Sequence, residues 1–131
     1  MRERLEALLG IHDRLLNKSL SRFLAVSHSV TAVTTLKEMR AALEMTSDAQ
    51  YAAACRYAVV IMDVNLGYPN TENIESARKV YQHLNSLIAG AQVQFTTVSG
   101  NDAVVEKALR EGIPCVPKPD GILTYIRALQ Q

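Results

Sequence analysis

Ala58-Val59-Val60-Ile61-Met62-Asp63 is the stretch on which the fold turns. Its first five residues form the most hydrophobic run in the chain, and the middle of that run is β-branched. This length and composition suit a central parallel strand covered on both faces, because a strand with one solvated face would alternate apolar and polar residues. The run stops on an acid, Asp63. Downstream, Gly67 and Pro69 mark a loop, and a helix is predicted from about Thr71 to Ala89. Gln92 to Val98 is strand-like, and Ser99-Gly100 breaks it. Asn101 is placed to cap a helix carrying Val104, Val105, Ala108 and Leu109, with Gly112 at the other end. Ile113 to Val116 reads as a short strand, Pro117-Lys118-Pro119 as a turn, and Asp120 as the cap of a last helix.

Working back toward the start, Arg22-Phe23-Leu24-Ala25-Val26 is an apolar run suited to a first buried strand. Residues 2–19 read as an amphipathic helix, with Leu5, Leu8, Leu9, Ile11, Leu15 and Leu16 on one broad stripe. A second helix is predicted from about Val30, with Val33, Leu36, Met39, Ala42 and Leu43 on one side. Ser47 to Gln50 has the Ser-x-x-Gln pattern of a capping box, which would open a short helix ending near Arg56. That leaves little room for a second strand, which is expected to be absent or vestigial. The division is therefore an N-terminal helix, residues 1–20, and an α/β domain, residues 21–131. Its expected architecture is a doubly wound parallel sheet of four or five strands with an extra N-terminal helix.

Composition narrows the function. The 131 residues fit one domain, 21% of them are charged and the formal net charge is +1. Acids and bases are mixed along the chain, so no basic field points to nucleic acid or to a membrane surface. No apolar run is long enough to span a bilayer, and the start carries no signal-peptide core. Cys55 and Cys115 match no metal-ligand spacing and read as reduced, packed cysteines of a cytoplasmic protein. No Gly-rich phosphate loop follows the first predicted strand, and no nucleophile elbow is present, so neither a nucleotide site nor a hydrolase is expected.

In open α/β sheets, ligands and chemistry gather at the carboxyl ends of the strands. Asp63, Ser99 and Lys118 each close a separate predicted strand, so the fold would bring them together. In this order they resemble the receiver domains of bacterial response regulators, which have a flavodoxin-like fold. The motifs that carry the likeness are Val60-Ile61-Met62-Asp63-Val64-Asn65-Leu66-Gly67, Val98-Ser99-Gly100-Asn101-Asp102 and Gly112-Ile113-Pro114-Cys115-Val116-Pro117-Lys118-Pro119. The likeness runs from about Arg22 to the end. It implies that Asp63 is the phosphoryl acceptor, that Ser99 binds a phosphoryl oxygen and moves in the switch, and that Lys118 pairs with the acceptor. Asn65 stands where the family uses a backbone carbonyl to help hold a divalent cation.

The family also places an acidic pair after its first strand to bind Mg²⁺. With that strand at Phe23–Val26, the corresponding positions are Ser27 and His28, and no Asp or Glu occurs between Arg22 and Glu38. Phosphoryl transfer brings an anionic donor against an anionic acceptor, and the metal neutralises the developing charge. The sequence therefore predicts a degenerate, or pseudo-, receiver: a non-enzymatic interaction module with no cofactor and no expected metal. Mg²⁺, held by Asp63 and Asn65, enters only under the alternative of a receiver phosphorylated on Asp63 by a histidine kinase. A carboxylate found beside Asp63 would revive metal binding. The expected partner is another signalling protein, either a histidine kinase or a downstream effector. A homodimer through the N-terminal helix or the 101–131 face is also expected. Cys115, three residues before Lys118, stands where the family often has an aromatic switch residue.

Overall fold

The computed structural model describes residues 4–45 and 52–131, and the capping box at Ser47–Gln50 lies outside them. Among the described residues five strands and five helices alternate: β1 (Glu6–Gly10), α1 (Arg14–Leu24), β2 (Ser29–Val33), α2 (Leu36–Ala42), β3 (Val59–Asp63), α3 (Glu75–Ala89), β4 (Gln94–Ser99), α4 (Asp102–Arg110), β5 (Cys115–Pro117) and α5 (Asp120–Leu129). The strands form one parallel sheet in the order β2-β1-β3-β4-β5. This is the flavodoxin-like winding, which reverses direction between β1 and β3 and so opens a crevice at their carboxyl ends.

The sheet is buried on both faces, and period-2 alternation assigns each strand residue to a face. Ala7, Leu9, Ile11, Val59, Ile61 and Val98 pack with Leu20 and Leu24 of α1 and with Ile122 and Ile126 of α5. Leu8, Val60, Met62 and Phe95 face the other way, toward Met39 of α2, Val80 and Leu84 of α3, and Val104 and Ala108 of α4. β3, all five residues of it buried, is the central strand that its composition predicts.

The N-terminal third differs from expectation. Residues 6–10 form a strand paired on both sides, not part of a helix. Leu and Ala are good helix formers, but Ala7 to Ile11 is an unbroken apolar run except for Gly10, and burial on two faces overrides propensity. Among the described residues no N-terminal helix therefore stands outside the sheet to form a dimer, and a boundary at residue 20 would fall inside α1. Arg22–Val26 is not a strand: Arg22 to Leu24 end α1, whose buried Asn17, Leu20 and Leu24 follow helical spacing. The next segment, Ser29–Val33, is the second strand, and the helix predicted from Val30 begins only at Leu36. There it is capped by Thr35, whose hydroxyl accepts the Glu38 N–H. Residues 52–56 carry no helix.

Smaller differences occur further on. α3 starts at Glu75 rather than Thr71, and β5 spans Cys115–Pro117. Asp120 is the first residue of α5 and not its cap; Pro119 holds that position without a side-chain bond. Asn101 does cap α4, its Oδ1 accepting the Ala103 and Val104 N–H groups. Gly112 follows α4 at φ +80°, a conformation that costs glycine nothing.

Candidate functional site

Asp63 ends β3 with only 3% of its surface exposed. Its Oδ2 accepts the His12 backbone N–H at 2.7 Å, and Lys118 Nζ lies 2.6 Å from Oδ1. The lysine contact is an ion pair by distance without the alignment of a directed hydrogen bond, so Oδ1 is balanced by charge alone. Lys118 is delivered by the turn after β5, where its own N–H donates to Ser99 O at 2.9 Å and the Lys118–Pro119 peptide is cis. One backbone bond thus ties the ends of β4 and β5 together beside the acid.

Ser99 is buried, and its hydroxyl accepts the Asn101 N–H at 3.0 Å. Asn65 reaches across its own loop, Nδ2 to Thr71 O at 3.0 Å, while its carbonyl accepts the Tyr68 N–H at 2.8 Å. The carbonyl keeps a second lone pair. The turn from Pro69 to Glu72 walls one side of an open cleft of about 670 Å³, whose floor includes Asp63, Asn65, Ser99 and Lys118. Cys115 is buried at the start of β5, and burial pushes its thiol pKa up.

Ser27 and His28 are not in this cleft. They occupy the turn between α1 and β2, at the opposite end of the strands, where Ser29 N–H bonds to Leu5 O. His28 is buried, its Nδ1 2.7 Å from Ser27 Oγ, and burial together with the nearby Arg4 charge holds its pKa below the ordinary value. The residues that follow the true first strand are His12 and Asp13, and both line the cleft. Asp13 caps α1, its Oδ1 accepting the Leu16 N–H at 3.0 Å; no hydrogen bond to its Oδ2 is formed among the described residues. Asn17, buried in α1, donates through Nδ2 to Ile11 O at 3.0 Å and to Val33 O at 2.8 Å. It locks the ends of β1 and β2 immediately behind His12 and Asp13.

Sequence reasoning missed these three residues, although two signals pointed to them. Asp13 stands two residues after the apolar run ending at Ile11, and the spacing of Leu16, Leu20 and Leu24 begins three residues beyond it, as an N-cap requires. The consequence is electrostatic. Asp63 and Lys118 compensate each other, and Asp13 leaves the floor with an excess negative charge. Among the described residues no three His, Cys, Asp or Glu side chains are grouped to enclose a metal ion. Mg²⁺ needs less than that, keeping several waters and taking one or two carboxylates plus a phosphate oxygen. Asp13, Asp63 and Asn65, which all line the cleft, carry hard oxygen donors of that type.

No protein-family model matches the sequence, and no curated protein does. Solved structures do match. A bacteriophytochrome response regulator superposes with TM-score 0.65 at 17% identity, over 98% of this chain and 92% of its own. SdrG from Pseudomonas melonis, in its BeF3-activated conformation, is 24% identical with TM-score 0.57 over 98% of both chains. An adenylate cyclase from Rhodopirellula baltica matches with TM-score 0.64 at 20% identity, over 96% of this chain and 87% of that one. Among the described residues no helix is long and apolar enough to cross a membrane. At these identities the likeness is one of fold, and the chain has the receiver-type, flavodoxin-like α/β fold.

Proposed function

We propose that the chain is a signalling receiver module in which Asp63 accepts a phosphoryl group from a phosphohistidine on a partner kinase. The observation that carries this reading is Asp13: a carboxylate lining the same cleft as Asp63, where the sequence had suggested none. A carboxylate oxygen of Asp63 attacks phosphorus, the O–P bond forms, and the P–N bond breaks. The imidazole leaves with the bonding electron pair and is released neutral because its other nitrogen keeps its single proton. Lys118 stays beside the acceptor and takes up charge on the phosphoryl oxygens. Ser99 exchanges its Asn101 contact for one of those oxygens. A divalent cation held by Asp13, Asp63 and the Asn65 carbonyl would neutralise the charge that develops as two anions meet. Output then passes through contacts with another protein, on the surface of α4, β5 and α5.

A second reading is favoured by His12, an imidazole where a second acid would strengthen cation binding, and by the engagement of both Asp63 oxygens. In it the Asp63–Lys118 pair is a structural strut, and the module works as a pseudo-receiver by binding alone. Backbone NMR spectra with Mg²⁺ and beryllofluoride separate the two. Shifts centred on Asp63, Ser99 and Lys118, abolished in Asp63→Asn and weakened in Asp13→Asn, are expected. Unchanged spectra at saturating reagent would refute phosphorylation and leave the pseudo-receiver.

A further inference from the structure

Away from the cleft, α2 and the first turns of α3 enclose a small cavity of about 30 Å³, lined by Leu36, Arg40, Met45, Tyr68, Ser76 and Lys79 among others. Beside it runs a shallow groove of about 460 Å³ that shares Leu36, Arg40 and Met45 and adds Lys37 and Ala41. Ser76 is 3% exposed, and its Oγ has no hydrogen-bond partner. A helical serine ordinarily turns back to the carbonyl four residues earlier. Here the residue four earlier, Glu72, lies before the helix, which begins at Glu75, and that return bond is not made. The hydroxyl is left with a proton to donate into the cavity, and a buried hydroxyl without a partner is destabilising.

Two further features give the cavity a polarity. It sits at the N-terminal end of a 15-residue helix, where Asn73 Oδ1 accepts the Glu75 N–H and the positive end of the helix dipole is close. Lys79 forms no ion pair among the described residues, whereas the acid in the lining, Glu75, is paired with Arg78. The groove next to it has an apolar floor, Leu36, Ala41 and Met45, with Lys37 and Arg40 on its rim. A site with one small positive pocket and an apolar trough fits a ligand with one anionic head and an apolar body. The pocket is small, and a planar carboxylate suits it better than a bulkier tetrahedral phosphate.

We propose that this α2–α3 face binds a small amphipathic carboxylate, with one oxygen on Ser76 Oγ, the charge facing Lys79 and the apolar part along Leu36, Ala41 and Met45. The site is separate from the cleft at Asp63 and does not depend on phosphorylation. The test is a titration of the full chain with octanoate, followed by backbone NMR and calorimetry, with octylammonium and octyl phosphate as controls. Octanoate should give saturable shifts at Leu36, Ser76 and Lys79, and neither control should match it. Ser76→Ala and Lys79→Gln should each weaken binding by about tenfold, the usual worth of one hydrogen bond or contact to a charged group. Ser76→Ala should do so without lowering the thermal midpoint, because the hydroxyl it removes has no partner in the free protein. Absence of saturable shifts, equal binding of either control, or parental affinity in both variants would overturn the proposal.

Discussion

Removing Lys118 is the sharpest probe of the acid it faces. Lys118→Met keeps the length of the side chain and deletes its charge, leaving Asp63, with 4% of its side chain exposed, without a countercharge. Breaking a fully buried pair costs about 3–5 kcal/mol. Two features reduce that here: the Lys118 side chain is 24% exposed, and the His12 N–H still bonds to Oδ2. A loss of about 2–3 kcal/mol is expected. At about 2.1 cal/mol/K per residue, a chain of 131 residues then loses about 7–11 °C in thermal midpoint. Asp63→Asn should cost under about 1 kcal/mol, because the freed ammonium can turn toward water and the amide oxygen keeps the His12 bond. In the Asp63→Asn background, Lys118→Met should therefore be nearly neutral, giving a coupling of about 2 kcal/mol. Urea unfolding of the four proteins, followed by circular dichroism, measures it. An equal cost of Lys118→Met in both backgrounds would refute the claim that the pair is what permits the buried charge.

Asn17→Leu removes the donor shared by Ile11 O and Val33 O and should cost about 2 kcal/mol; amide exchange should quicken around His12 and Asp13, and exchange that quickens only elsewhere would count against Asn17 as the lock on that turn. His28 yields a pH dependence whose sign follows from its lowered pKa. At high pH the folded and unfolded states are both neutral there, and nothing is gained or lost. As pH falls through the ordinary value of 6.5 the unfolded chain takes up a proton that the folded chain resists, so stability declines until the lower folded pKa is passed. Thermal midpoints measured from about pH 8 to about pH 5 should fall less steeply in His28→Gln than in the parent; identical slopes would remove His28 as a cause.

From the central strand onward, the sequence was legible because each signal was local and unopposed. A β-branched run cannot easily be a helix, an Asn before an apolar helical pattern caps it, and Ser99 and Lys118 each close a strand. The first third misled because Leu5-Glu6-Ala7-Leu8-Leu9 has helix formers at helical spacing while forming a buried strand. Shifting that one strand displaced everything after it. The residues after the first strand changed from Ser27 and His28 to His12 and Asp13, and the expected N-terminal helix and missing second strand disappeared together. The convergence of Asp63, Ser99 and Lys118 followed from topology alone and is found in one cleft.

By itself, then, the sequence determined the class of fold and the three residues at its centre, because burial on two faces leaves a composition that few other structures tolerate. The tertiary structure decided which segment is the first strand, since propensity within a short apolar run is ambiguous until its pairing partners on both sides are known. It also decided the charge of the cleft. Asp13 belongs to the site only because β1 lies beside β3 in the sheet, and adjacency of that kind is set by the winding of the whole chain rather than by any stretch of it.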